Sequence, residues 1–339
     1  MTSIGIIINP ESGRDIRRLV AKATFVSNYA KIDAIKRFLY GLNITNSIEE
    51  VVFMPDFYGI SLDIIRDIKD DVKFKLRTLD MRIENTADDT INASKYMVEN
   101  RVSVIISAGG DGTLRAIYKG AGDKVPVLGL SLGTNNVLGA LYEPTILGMI
   151  MGLLLEKNNI ISNVVERIKT IKLFVNNEFK NLALVDLTFM DGWYVGARAI
   201  WDEYSLRYTF ISKGELGDVG IPSIVSLVRP ITFQDDLGLM VKFGLGKIKV
   251  NAAFAPGLVK EVFIDGINIL KLGQEVHIPS DNYVIAFDGE KEMIVNSNDE
   301  IMTRIDRDGP LLVSISKSLN YINTYYKEEM GELRWAKRY

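Results

Sequence analysis

The 339-residue chain contains no cysteine and one histidine, His277. The first absence excludes disulfides, thiolate catalysis and cysteine-ligated zinc or iron–sulfur centres. The second excludes multi-histidine metal sites and argues against a histidine-dependent triad. Any catalysis therefore falls to carboxylates and backbone groups. Excess positive charge is also lacking: 40 Lys and Arg against 43 Asp and Glu leave a net −3, so no global field recommends a nucleic-acid partner. No apolar run approaches the roughly 20 residues of a membrane span. The longest, from Ile146 to Leu155, reads as a buried helix. The opening residues, MTSIGIIINPESGRD, lack a charged region followed by a long apolar core, so no secretory signal is read and a cytoplasmic protein is expected.

What is present centres on Val102 to Lys119, VSVIISAGGDGTLRAIYK. A β-branched run predicts a parallel strand buried on both faces. It stops at Gly109-Gly110-Asp111-Gly112-Thr113, where three glycines permit a tight turn and close approach of an anion to backbone N–H groups ahead of a helix. Asp111 is out of place beside a phosphate. Its charge is repelled there unless a metal intervenes or the carboxylate has its own task, such as taking a proton from an acceptor hydroxyl. An isolated Asp-Gly is more simply a turn, with Asp111 or Thr113 as helix cap.

The same logic repeats along the first half. Ile4 to Ile8 predicts a strand followed by the loop Asn9-Pro10-Glu11-Ser12-Gly13, whose small polar groups suit a nucleotide at a strand C-terminus. Residues 29–40 read as an amphipathic helix, 49–55 as a strand, 61–71 as a helix and 73–81 as a third strand. Thr86 is the expected N-cap of a helix with Asp88 and Asp89 in its first turn, and Thr86 and Asp88 lie at the ligand edge if the sheet is doubly wound. Val125 to Ser131 predicts another buried strand, closed by the loop Leu132-Gly133-Thr134-Asn135-Asn136. Pro144 suits the first turn of a helix over 145–155.

After about residue 160, short alternating runs separated by Asn, Gly, Asp and Pro predict a mostly antiparallel β-domain, with Asn176-Asn177 and Asp191-Gly192 as hairpin turns. The expected organisation is an α/β nucleotide-binding domain over 1–145, a β-rich acceptor domain over 146–315, and a terminal helical segment over 316–339 packing back on the first domain. Asp186 shares parity with Leu182 and Leu184, which points it inward, where a buried acid needs a partner. Asp288-Gly289-Glu290 ends a strand and offers carboxylates to a magnesium ion, although a plain turn is the simpler reading. Arg198 and Asp202, in GARAIWDEY, read as charged surface, and His277 as structural.

Taken together, INPESG at 8–13, TADDT at 86–90, GGDGT at 109–113, GTNN at 133–136 and FDGE at 287–290 resemble, in order and spacing, the motifs of the NAD kinase and diacylglycerol or sphingosine kinase superfamily. The likeness is greatest to its AcoX-type, ATP-NAD kinase-like branch. The resemblance implies an N-terminal Rossmann-like (phosphofructokinase-like) α/β domain, a β-rich C-terminal domain and an active site in the cleft between them. It implies ATP or polyphosphate as donor, magnesium, NAD as the leading acceptor and a homo-oligomer. It assigns Gly109, Gly110, Gly112 and Thr113 to donor phosphates, and Asn9, Ser12, Gly13, Thr86, Asp88 and Gly133 to Asn136 to the rest of the nucleotide site. Asp111 becomes the general base, Asp186, Arg198 and Asp202 face the acceptor, and Asp288 and Glu290 the metal. One departure stands out: where NAD kinases carry an Asn-Glu pair, this chain has Val185-Asp186, and valine offers no side-chain hydrogen bond. A lipid kinase and a non-catalytic nucleotide-binding protein are the alternative readings.

Overall fold

Strand β1 (Thr2–Ile8) is almost wholly aliphatic, and its interior residues are buried on both faces. In the computed structural model, which describes residues 2–13, 26–133, 136–156, 160–200 and 202–336, it lies mid-sheet. Its neighbours are β2 (Ile48–Phe53) and β4 (Val104–Gly109), both parallel to it, with Ile6 level with Phe53 on one side and Ile106 on the other. Outside these run β3 (Lys75–Thr78) and β5 (Val127–Ser131), giving the order β3-β2-β1-β4-β5. The order in which strands are added switches sides between β1 and β4, so the crevice beyond the C-terminal ends of those two parallel strands is where such a sheet binds ligands.

Helices cover both faces. On one lie α1 (Asn28–Leu42), α2 (Ile60–Ile68) and α5 (Pro144–Glu156), and on the other α3 (Ala87–Glu99) and α4 (Asp111–Ala121). Ser27 caps α1 by accepting the Ala30 N–H, and Thr86 caps α3 with a full capping box to Asp89. Helix α5 approaches α1 closely through glycine: a Cβ on Gly148 would lie 1.9 Å from the Phe38 carbonyl oxygen.

The second half forms two antiparallel sheets. One has the order β12-β11-β10-β9-β14-β15, from β9 (Asp186–Asp191), β10 (Leu206–Ile211), β11 (Leu237–Ala255), β12 (Leu258–Lys271), β14 (Tyr283–Phe287) and β15 (Glu290–Val295). The other has the order β13-β16-β7-β8, from β7 (Thr170–Val175), β8 (Glu178–Ala183), β13 (Glu275–Ile278) and β16 (Ile301–Asp306). Asn176 and Asn177 make the two-residue turn joining β7 and β8, both with positive φ. Asp191-Gly192 does not close a tight hairpin: Leu206 pairs with Met190, and the intervening residues form a long connection. The separate short runs at 237–271 are one long hairpin, its alternation broken by bulges around Phe243.

The expected division at residue 145 does not separate the layers. Helix α5 belongs to the first core, and β6 (Val165–Arg167) and β17 (Leu311–Val313) extend the first sheet beyond β5, with β17 parallel to β5. After the short helix α6 (Ser223–Ser226) of the second half, helix α7 (Ile315–Ala336) sets Leu319, Tyr321 and Ile322 against that same first core. Periodicity could not reveal this return, because three-residue strands carry no period of their own.

Candidate functional site

Three loops converge at the strand ends. The Asn9 side-chain amide donates to Thr113 Oγ1 at 3.0 Å, and Ser12 Oγ donates to the carbonyls of Asn9 and Leu132. Gly13 has φ +73°, the left-handed region that favours glycine. Lys31, fully buried in α1, donates to the carbonyl oxygens of Asn9 (2.9 Å) and Pro10 (2.8 Å) and so pins the first loop to the helix. The glycines here serve the loops themselves. A Cβ on Gly109 would strike Thr113 Oγ1 at 2.4 Å, and one on Gly133 would strike Asn136 Oδ1 at 2.5 Å and Gly110 Cα at 3.0 Å. Gly112 differs, since a Cβ there meets nothing within 4 Å and its surface is open. Asn136 donates to Ser131 Oγ, whereas Thr134 and Asn135 lie outside the described residues.

Asp111 sits at the start of α4, with 7% of its surface exposed. Its two carboxylate oxygens accept the Val137 N–H at 2.9 Å and the Leu138 N–H at 3.0 Å. Burial nevertheless pushes its pKa up to about 7, with the charges of Asp288 and Asp218 adding to the rise and the amide bonds opposing it. Asp111 lines a narrow cleft, with about 20 Å³ of free space, together with Asp186 and Asp288, walled by Ile200, Ile221 and Phe254. Asp186 points inward as parity predicts, accepting from the Thr188 hydroxyl at 3.1 Å, and burial pushes it up to about 8, reinforced by Asp288.

Asp288 is held differently. One carboxylate oxygen accepts the N–H groups of Leu184 and Val185 at 2.9 and 2.8 Å, and the other lies 3.5 Å from Arg115 Nε. Burial raises its pKa, and Arg115 opposes the rise. Arg115 in turn pairs with Glu292 and sits over the Phe287 ring. Asp288 is thus a clamp between the end of β14 and the start of β9. Its Oδ1 is thereby committed, while the buried Oδ2, beyond the Arg115 contact, accepts no hydrogen bond; among the described residues no three Asp, Glu or His side chains converge as metal ligands.

Beyond Gly112 lies a second, larger recess of about 320 Å³, lined by Gly112, Arg115, Lys119, Arg198, Lys291 and Glu292, with Val195 in its wall and Ala87 of the α3 first turn at its edge. Burial lowers the pKa of both Lys119 and Lys291, with Arg115 contributing at Lys119. Arg198 is therefore not merely exposed surface, since it faces this recess. Thr86 and Asp88 stay at the α3 start, Thr86 as cap and Asp88 exposed beside it. Asp202 accepts the Tyr204 N–H in a turn and lines neither cavity. Glu290 begins β15, beside an isolated bridge to Ala199. Sequence reasoning missed Lys31, Arg115, Lys119 and Lys291. Arg115 and Lys119 follow Asp111 at helical spacings of four and eight, a signal legible once α4 was placed.

Comparison with known proteins places this geometry in a family. Residues 4–157 match the ATP-NAD kinase N-terminal domain family, and residues 169–308 match the acetoin catabolism protein X C-terminal domain family. Acetoin catabolism protein X of Cupriavidus necator is 32% identical over 310 residues, covering 88% of this chain and 86% of its own length. The chain belongs to the acetoin catabolism protein X family. A solved structure from Bacillus anthracis strain Sterne, described as a candidate diacylglycerol kinase, covers 92% of this chain and 98% of its own at 12% identity. Its TM-score of 0.47 is too low to carry functional weight. In this member of the acetoin catabolism protein X family, the kinase-type first half and the family-specific second half meet at the cleft holding Asp111, Asp186 and Asp288.

Proposed function

We propose that this protein is an ATP-dependent small-molecule kinase of NAD kinase-like type, with NAD as the leading acceptor. The observation that carries the reading is the pairing of two cavities next to Asp111-Gly112: a cleft lined by carboxyl groups, and a recess bearing Lys119, Arg198 and Lys291, with Arg115 paired to Glu292 in its wall. Cations around an open glycine at a helix start suit donor phosphates. A carboxylate with a pKa near neutrality suits a general base.

Asp111 takes the proton of the acceptor hydroxyl as its oxygen attacks the terminal phosphorus of the donor. The bond from that phosphorus to its bridging oxygen breaks, and the nucleoside diphosphate leaves with the bonding pair. The basic side chains of the recess neutralise charge building on the phosphates. Magnesium would screen the donor's charge as it does for phosphoryl donors generally, and no protein carboxylate is assigned to it. The homo-oligomer and the cytoplasmic setting belong to the same reading; among the described residues no helix is long and apolar enough to cross a membrane.

The acceptor cleft combines apolar walls with the carboxyl groups of Asp111, Asp186 and Asp288. Val185 contributes only its N–H, which is spent on Asp288. Because the Cupriavidus relative is named for acetoin catabolism, hydroxyketones of that type belong beside NAD in an acceptor screen. Incubation with ATP, magnesium and each acceptor, read as ADP release with product identified by mass, tests the proposal. One observation favours a non-catalytic nucleotide-binding role: both Asp111 oxygens already accept backbone amides, as a purely structural cap would. ATP binding without ADP release for any acceptor would establish that reading instead.

A further inference from the structure

The connection between β9 and β10 is tied down at two places. At its base the Asp191 N–H donates to the Ser205 carbonyl at 2.8 Å. Farther along, the Lys291 N–H donates to the Arg198 carbonyl at 2.6 Å, the Ile200 N–H donates to Gly289, and Ala199 bridges to Glu290. Between these ties, Val195 lies in the wall of the basic recess and Arg198 lines it farther on, with Trp193 and Tyr194 just before Val195 in the chain. On this short span two large aromatic side chains face outward: Trp193 is 74% exposed and Tyr194 78%. Neither joins any hydrophobic core. Gly196, with φ +56°, turns the chain back so that the Tyr194 ring lies about a contact distance, 3.3 Å, from where its Cβ would be. Folding leaves two costly apolar faces in water beside a recess that already collects cations.

We propose that residues 193–198 form a nucleobase clamp on the donor side: Arg198 meets a phosphate while the Trp193 and Tyr194 rings stack on the heterocyclic base of the same molecule. The inference rests on the donor reading of the recess and deepens it, because it selects a nucleoside triphosphate over an inorganic polyphosphate as donor. Stacking is sequence-tolerant, since every base presents a π-face, so the clamp recognises a base without reading which one. Among the described residues of the recess lining there are cationic groups, one carboxylate and aliphatic side chains, and no aromatic ring.

The experiment compares ATP with inorganic tripolyphosphate by isothermal titration, on the wild-type chain and on Trp193→Leu and Tyr194→Leu. Both positions are exposed, so folding is expected to persist, and circular dichroism with thermal melting checks it. The expected result is a loss of ATP affinity of roughly 5- to 100-fold in either variant, the range that removal of one stacked ring produces, with tripolyphosphate affinity unchanged. Tryptophan fluorescence in the wild type should also be quenched by ATP and not by tripolyphosphate, and Trp193→Leu should lose that quenching although two other tryptophans remain. An equal loss for both ligands, or no loss for ATP, overturns the clamp while leaving the recess as donor site. Wild-type protein that binds neither ligand overturns the donor reading itself, and the clamp with it.

Discussion

Asp111 and Asp186 are two acids that differ in purpose though both are buried. With its pKa at about 7, Asp111 is ionised over the alkaline side of neutrality. If it is the base, kcat/KM should rise about tenfold per pH unit below 7 and level off above, a profile that Asp111→Asn loses together with roughly 10²- to 10⁴-fold of its turnover. Donor binding measured by titration should survive that substitution. Asp186 carries a stability consequence. Its folded pKa, about 8, lies above the ordinary 3.8, so the native state holds the proton more tightly. The associated stability is fully present below about 3.8 and is lost as pH rises through about 8. Asp186→Asn, neutral at every pH, should therefore gain on the wild type as pH climbs from 5 to 8, with Tm pulling ahead by a few degrees, about 2–4 °C per kcal/mol. A constant gap across that range would show that Asp186 is not held neutral. Asp111 was legible in the sequence because its charge contradicts the glycine loop around it. The Asp288 clamp was not: its partners lie about a hundred or more residues away, and two of them, Leu184 and Val185, contribute backbone N–H groups that no side-chain pattern encodes, the third, Arg115, adding its guanidinium.

At the level of elements, the glycine loops were legible by position but not by role. Strand, turn and helix at 104–121 follow from β-branched residues, glycine and the helical period. Only the structure shows that Gly109 and Gly133 yield room to Thr113, Asn136 and Gly110. Lys31 illustrates the limit further, because a lysine on an amphipathic helix ordinarily faces water. Replacing it with methionine keeps much of the volume but strands the buried Pro10 carbonyl and takes one donor from that of Asn9. The expected cost is about 1–3 kcal/mol in urea unfolding, with a several-fold rise in donor KM as the 9–13 loop loosens. Gly148→Ala tests the α1–α5 contact, where the added methyl would collide with the Phe38 carbonyl. It should lower stability by about 1–3 kcal/mol or more, while the same change at Gly112, with open space around it, should leave stability nearly untouched.

The whole molecule is less divisible than its pattern suggests. Sequence period separates an α/β half from a β half, and the sheets agree: five parallel strands first, antiparallel sheets later. What pattern could not disclose is the exchange of β6, β17 and α7 back to the first sheet, since those pieces are too short or too late in the chain to be assigned by local preference. A fragment spanning residues 1–160 should therefore bind a hydrophobic dye and unfold without a cooperative transition. A sharp, monomeric melt from that fragment would show the two halves to be independent.

The pairing of β17 with β5 also sets an order in time. Leu312 meets Val127 only after the intervening residues have left the ribosome, so the outer edge of β5 waits, unpaired, through most of synthesis. Such an edge can recruit another nascent chain before its own partner arrives. Slower elongation across 132–310 would lengthen that wait, and yield of the native protein should fall with it even though every residue, and the finished fold, is unchanged.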